Sequence, residues 1–501
     1  LIAGYASIFG YSEIALHLFL SIFTFFTLYF FRKISRHIGV KKENLLLCLF
    51  AFCPALVINQ NLMVDVPILA LILGMFYNLL RAKRDHKWKY YIWCVLFLSA
   101  ALLIKYSVLP LLLAFIITLV LNKAYLKLIV VLMPIGVLII WAGINKAEYG
   151  SIHLLDRPSS EFKLETFFSF VACLGSVATF IISIIHGLVY HKITAWVIGL
   201  VGVFIISPMM FVFFGVVEEN TFTNFLIMVF NGIGYIVLLL VSWYLYKQIK
   251  EQRASFLSSD QMVVLLFLGA LAGFLMLFAP FIATRHILLV VPFILFFTHK
   301  LFERASNRVN TLTLSITILL GSLLGVSDWV YADYYRQMAK VQLKTNKTIW
   351  TRGHWGWQWY AKKNGMKMYS SNELGVKKGD YMIFMKDIPK QGINDSLELK
   401  VIDRIWKPAQ VSTLFSGNNF ASLYNSFPNK PPWNLSHKAI DTLVICKVVK
   451  EINVEHLIRE MIDKIKSNED WYETVKVRAK DMKIPLDSLL RLDAKWQLKI
   501  Q

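Results

Sequence analysis

Long apolar runs recur through the first two-thirds of the chain, and they leave few folds open to it. About 20 consecutive apolar residues, range 17–25, cross a bilayer as an α-helix. Between residues 14 and 327 about twelve candidate runs appear, some of them shorter or broken. They cover 14–31, 45–60, 64–80, 90–105, 107–121, 128–144, 167–189, 194–214, 223–246, 261–281, 285–298 and 310–327. Hydrocarbon offers no water to unpaired backbone groups, so such runs predict helices. Pro54, Pro110, Pro134, Pro208 and Pro292 fall within them and soften their ends. Composition agrees: 56% of the 501 residues are hydrophobic and 17% charged, against roughly 45–50% and about 25% in soluble domains. A disordered chain, a coiled coil and a small disulfide scaffold are excluded.

The net charge of +21 invites a nucleic-acid partner, but its distribution argues otherwise. The excess divides almost equally between 1–327 and 328–501, and neither part is a concentrated basic domain. No nucleic acid is expected. In the first part the basic residues cluster between apolar runs, as Arg32, Lys33, Arg36, Lys41 and Lys42, then Arg81, Lys83, Arg84, Lys87 and Lys89. The stretches 122–127, 247–260 and 299–309 are more mildly basic. The alternate loops 54–64, 215–222 and 282–286 hold one basic residue, Arg285. The positive-inside bias therefore places every second loop in the cytoplasm and residues 328–501 outside.

Past residue 327 the pattern changes. Charges become frequent, and alternating runs at 381–386 and 442–449 predict strands. From about 454 the period turns helical, with Leu457, Met461 and Ile465 on one face and Leu489, Leu490 and Leu492 on a second stretch. The expected architecture is an α-helical polytopic membrane part over 1–327 and an extracytoplasmic mixed α/β domain over 328–450. A helical extension follows over 451–501. Of the five cysteines, Cys48, Cys53, Cys94 and Cys173 lie in apolar runs and only Cys446 in the tail, so no disulfide framework is expected.

Ionisable residues at the outer ends of apolar runs are the first candidates for chemistry, because charge in a membrane is costly. Asp65 lies in NLMVDVP. It reads equally as a helix cap ahead of Pro67 or as a carboxylate facing an external cavity. Lys105 interrupts AALLIKYSVLP, either snorkelling to the interface or holding an anion such as phosphate. Arg285, in FIATRHILLVVP, has the same two readings, and its planar guanidinium suits phosphate better. His286 reads as a packed or interfacial histidine. No HExxH, P-loop, GxSxG or CxxC motif occurs, which removes support for nucleotide hydrolysis and zinc-protease chemistry.

Several stretches together resemble the polyprenyl-phosphate-dependent membrane glycosyltransferases of the GT-C class, which include protein O-mannosyltransferases and the aminoarabinose transferase of lipid A. They are residues 1–32; 61–80, where Asp-x-Pro opens a helix; 98–110 (LSAALLIKYSVLP); and 285–292 (RHILLVVP), with His286 where the family usually has Tyr. In the tail, 353–360 (GHWGWQWY) is similar to a signature of bacterial members. The resemblance implies a GT-C fold and a sugar donor carried on polyprenyl phosphate. Transfer would go to a lipid, glycan or protein acceptor at the outer face of the cytoplasmic membrane. It further implies that Asp65 joins an acidic catalytic site whose main motif precedes Leu1, and that Lys105 and Arg285 hold the donor phosphate. His354 and Trp355 would be acceptor-facing or structural. No cofactor is firmly implied, and a divalent metal stays open. Two rivals remain: a transporter or lipid flippase, against which the lack of internal repeats counts, and an inactive scaffold for envelope assembly.

Overall fold

The computed structural model describes residues 2–156, 164–188, 219–341, 343–371, 373–407, 414–415, 431–434 and 439–498. The chain divides into two compact units. Described residues up to 328, with 414–415 and 431–434, form the first; 329–407 and 439–498 form the second.

Among the described residues of the first unit, six helical spans are long and apolar enough to cross a membrane. They are Glu13–His37, Asp65–Asp85, Tyr125–Tyr149, Thr223–Gln252, Asp260–Leu277 and Asn307–Met338. Three shorter apolar spans, Trp88–Ile104, Tyr106–Leu121 and Leu164–Gly175, accompany them. This is a multi-pass membrane protein, and its described residues hold fewer full-length spans than the apolar runs suggested. The run at 45–60 breaks ahead of Pro54 into Glu43–Ala51 and Pro54–Val57. The run at 167–189 yields Leu164–Gly175 and Ile181–Leu188. The run at 285–298 becomes the single turn Thr284–Ile287, then Val291–Arg304 with Pro292 at its start. Broken helices are tolerated at membrane depth where protein surrounds them, and Val291–Arg304 is buried at nearly every position. The run at 194–214 lies outside the described residues.

One helix stands at the centre. In its apolar window Asp65–Asp85 is 83% buried, whereas the other five spans are 17–39% buried and turn most of their surface outward. Phe76 of this helix packs edge-on against Phe267 at 4.8 Å and Phe293 at 5.2 Å, a geometry that aromatic quadrupoles favour. Small residues bring other helices into contact. A Cβ on Gly175 would fall 1.8 Å from the Phe230 carbonyl oxygen, and one on Gly234 2.0 Å from that of Val171. Such close backbone approach is how membrane helices gain packing energy without a hydrophobic drive.

The basic loops meet at one end of this unit. Lys83 Nζ donates to Asp260 Oδ1 at 2.6 Å, the Lys41 amide donates to Glu303 Oε1, and Lys42 Nζ donates to the Ala305 carbonyl and Asn307 Oδ1. The alternation of charge along the sequence therefore corresponds to sidedness in space. Asp65 begins, and Lys105 and Arg285 border, helix ends away from these loops.

The second unit is built on a five-stranded mixed sheet of order β2-β1-β3-β5-β4. Its strands are β1 Ile349–Thr351, β2 Lys367–Met368, β3 Tyr381–Met385, β4 Glu398–Trp406 and β5 Thr442–Lys450. β1 runs parallel to β2 and β3, while β5 is antiparallel to both β3 and β4. The two-residue period of a strand divides the core. Ile383, Met385, Leu443 and Ile445 face one cluster with Trp357, whereas Met382, Phe384, Val444 and Cys446 face another with Trp350. The two strands expected from alternation are β3 and β5. After them, Val454–Ser467, Glu469–Asp481 and Leu486–Gln497 close a small core of their own around Ile458, Ile465, Val475, Leu489 and Leu490. Asn453 and Asn468 cap the first two of these helices through their side chains. Leu492, on the last of these helices, is exposed.

Candidate functional site: a buried ion pair beside an under-satisfied arginine

Asp65 is the first residue of the central helix. The cap position is Val64, which offers no side-chain hydrogen bond, so the carboxylate does not serve as the cap. It instead accepts a hydrogen bond from Lys105 Nζ at 3.0 Å. The Asp65 side chain is 2% exposed and that of Lys105 26%. The positive end of the helix dipole also favours a carboxylate in the first turn. Lys105 reaches it because Trp88–Ile104 ends there: Lys105 is the C-cap residue with extended backbone, and a short 3₁₀ turn follows at Tyr106–Val108. A lysine at the helix end thus points at its partner and not along the helix.

The loop before Asp65 is pinned by its own amides. Asn59 Nδ2 donates to the Ala55 carbonyl, Asn61 Nδ2 donates to that of Ile58, and Asn61 Oδ1 accepts from the Met63 amide. The polar approach visible in the sequence therefore forms a small self-bonded turn, which delivers Met63 and Asp65 in fixed positions.

Arg285 arrives from the turn Thr284–Ile287. Its Nη1 points at Met63 Sδ, its guanidinium lies 6.0 Å from the Phe281 ring centroid, and its buried Nε has no hydrogen-bond partner. A thioether is a weak acceptor. A guanidinium with five donors is under-satisfied in such a setting. Next to it, buried His286 accepts the Ala283 amide proton on Nδ1 at 3.3 Å, and the charges of Lys105 and Arg285 both bear on its ring. Asp65, Lys105 and Arg285, chosen separately from the sequence, thus come together. Tyr106, beside Lys105, accepts from Trp141 Nε1 at 3.0 Å and lies 6.0 Å from the His153 ring. Sequence alone gave no sign of Met63, Tyr106 or Trp141, because neither a thioether contact nor an indole–phenol bond leaves a periodic trace.

His354 and Trp355 belong to the second unit. Gly353 takes φ +130° and Trp355 φ +59° where β1 turns into the helix Trp355–Lys363. Trp357 is the buried indole of this segment and donates to Thr351 Oγ1 at 3.0 Å, while Trp355 is 61% exposed. A bulky residue in the left-handed region without a buried ring is unusual. Among the described residues no three His, Cys, Asp or Glu side chains come together as a metal cage.

Residues 1–143 match the family model described as dolichyl-phosphate-mannose-protein mannosyltransferase. The matched stretch includes Asp65 and Lys105 and stops short of Arg285, and it agrees with the resemblance read from the motifs there. No curated protein matches the chain. Among solved structures, the chain is similar to the crystal structure of ArnT from Cupriavidus metallidurans bound to undecaprenyl phosphate. That likeness has 12% identity and a TM-score of 0.34, over 77% of this chain and 82% of that one.

Proposed function

We propose that the chain is a membrane glycosyltransferase that takes a sugar from a polyprenyl-phosphate donor, with Arg285 and Lys105 receiving the donor phosphate. The observation that carries this reading is the under-satisfied guanidinium of Arg285 beside the Lys105–Asp65 pair, at the helix ends away from the basic loops. In the transfer, the bond between the anomeric carbon and the phosphate oxygen breaks and an acceptor oxygen bonds to that carbon. Negative charge grows on the departing phosphate, and fixed cations stabilise it most in a site that excludes water. Arg285 offers a planar set of donors for two phosphate oxygens. Lys105, a quarter exposed, contributes a second charge while keeping its bond to Asp65.

The geometry supports a specific role for Asp65. The Asp65 carboxylate is buried and bonded to Lys105 Nζ at 3.0 Å, so Asp65 serves to orient Lys105. The proton of the acceptor hydroxyl is taken up by the departing phosphate monoester, which balances the transfer without a protein base. Positive-inside bias sets this site at the outer face of the cytoplasmic membrane, where a lipid, glycan or protein acceptor is available.

The test is binding of a polyprenyl-phosphate sugar to the purified full chain. Losing one charge-assisted hydrogen bond at about 1.5–3 kcal/mol should weaken donor binding roughly ten- to a hundredfold in Arg285→Ala, and less in Lys105→Ala. Wild-type donor affinity in both variants would sink the assignment. Donor lipid moved across a bilayer without sugar transfer would favour the transporter.

A further inference from the structure

A cavity lying entirely in the second unit, walled mainly by apolar and aromatic surface with a few polar groups, has the chemistry of a carbohydrate site. Residues 329, 333 and 337 follow one another at four-residue spacing along the end of the helix Asn307–Met338, which places Trp329, Asp333 and Gln337 on one face. Together with Tyr334, Lys407 at the end of β4, and Ile440 before β5, they line a cavity of about 160 Å³. Drug-sized ligands need several hundred Å³, so this space accepts one small ring and no more.

Its walls divide by chemistry. Trp329 is 62% exposed and offers an indole face. Tyr334 is fixed by its hydroxyl, which donates to the Asp441 carbonyl at 2.7 Å, and Ile440 adds an apolar floor. The polar rim is pre-set: Gln337 Nε2 donates to Asp333 Oδ2 at 2.5 Å, which orients the carboxylate and leaves the amide oxygen of Gln337 free to accept. Lys407 supplies a donor. A pyranose has the matching division, with one face of C–H bonds that stacks on an aromatic ring and an equator of hydroxyls that both donate and accept. Asp333 is held from both sides, by Gln337 and by Arg336 Nη1 at 3.6 Å, so it meets a ligand as a fixed acceptor.

We propose that Trp329, Asp333, Gln337 and Lys407 form a subsite for a single neutral sugar unit, an acceptor-side saccharide contact separate from the donor phosphate site. Its role in transfer rests on the glycosyltransferase reading, although the sugar chemistry of the cavity does not.

The test is saturation-transfer NMR on the full chain in detergent, with methyl glucoside, methyl mannoside, methyl galactoside and methyl N-acetylglucosaminide as probes. At least one probe should receive saturation, with the signal lost in Trp329→Ala and reduced at least fivefold in Asp333→Asn. The second substitution is nearly isosteric and guards against misfolding of the first. Trp496→Ala removes another exposed indole of the same unit (75% exposed) and should change nothing. Arg285→Ala should lose lipid donor binding and keep glycoside binding, so failure of the donor assignment and failure of this subsite are told apart. Absence of saturation in every probe, or equal saturation in Trp329→Ala, overturns the proposal. So does a Trp329 ring saturated by detergent alone, which would make it a membrane anchor.

Discussion

Replacing Lys105 by Met should destabilise the first unit far more than replacing Asp65 by Asn, and the asymmetry follows from the geometry of the pair. At 3.0 Å two unit charges attract by about 5 kcal/mol at an effective dielectric near 20, and desolvation opposes part of that gain. Among the described residues Lys105 Nζ is the only hydrogen-bond partner of the Asp65 carboxylate. Lys105→Met therefore strands a carboxylate that is 2% exposed, at a cost of about 3–5 kcal/mol. Asp65→Asn leaves an ammonium that water reaches, at a cost of roughly 1–2 kcal/mol. The double variant contains neither orphan and should be no worse than the milder single variant, so a double-mutant cycle should return a coupling of about 2 kcal/mol or more. Buried Cys53, Cys94 and Cys173 lie in the same unit, so thermal unfolding in detergent can be followed by a thiol-reactive dye that labels them as they open. Equal losses in the two single variants with an additive double variant would refute the reasoning, since the pair would then be an incidental contact.

Three further outcomes are expected. Gly234→Ala should abolish accumulation of monodisperse protein in size-exclusion chromatography, because its Cβ would overlap the Val171 carbonyl; Gly232→Ala, with nothing within 4 Å, should be neutral or gain up to about 1 kcal/mol from helix propensity. Burial, reinforced by the nearby Asp387 charge, pushes the Asp441 carboxyl up to about 7. The protonated form is thus favoured in the folded state, so its contribution is present below about pH 4 and lost as pH rises through about 7, on the order of 4 kcal/mol in all. Hydrogen exchange of β3 and β5 in the full chain, corrected for intrinsic rates, should show protection falling over that window, and Asp441→Asn should flatten the trend. Trp355→Gly should raise the thermal midpoint, since it relieves a left-handed backbone worth about 1–2 kcal/mol and gives up little buried surface; a lowered midpoint would mean that the exposed indole packs after all.

The parts of this molecule that a sequence reader can see are those set by local composition. Apolar runs and the sign of the loops between them depend on solvent and little on neighbours, which is why the loops around Lys41, Lys83 and Glu303 converge as their charges suggested. Alternation exposed β3 and β5, because both have two buried faces with distinct partners. β4 escaped notice because its outward-facing edge, with Glu398, Lys400, Asp403 and Arg404, reads as a solvated loop; β1 and β2 are three and two residues long and carry no period. The breaks at Pro54 and between Ile287 and Val291 were hidden for another reason: a helix can end at membrane depth only where other protein takes up the freed backbone, and that information sits in distant residues.

The site shows the same division, and it yields one more step. Asp65, Lys105 and Arg285 could each be singled out as a charge at the end of an apolar run, but the Asp65–Lys105 pair spans 40 residues and the contact of Arg285 with Met63 spans 222. Had Arg285 a purely structural task, a carboxylate within its reach would satisfy it best, and Asp65 stands only two residues from the Met63 sulfur that the guanidinium meets. The carboxylate is bound instead by Lys105, the more weakly directional of the two cations. The residue with the better geometry for an oxyanion is thus left with the poorer intramolecular partner, and releasing a thioether costs little when an anion arrives. That arrangement is the reverse of what stability alone would favour, and it is the observation on which the proposed phosphate site rests. Arg285→Met should consequently be nearly neutral for folding in the dye-labelling assay, within about 1 kcal/mol, while donor binding falls. A large loss of stability in that variant would return Arg285 to the list of packing residues.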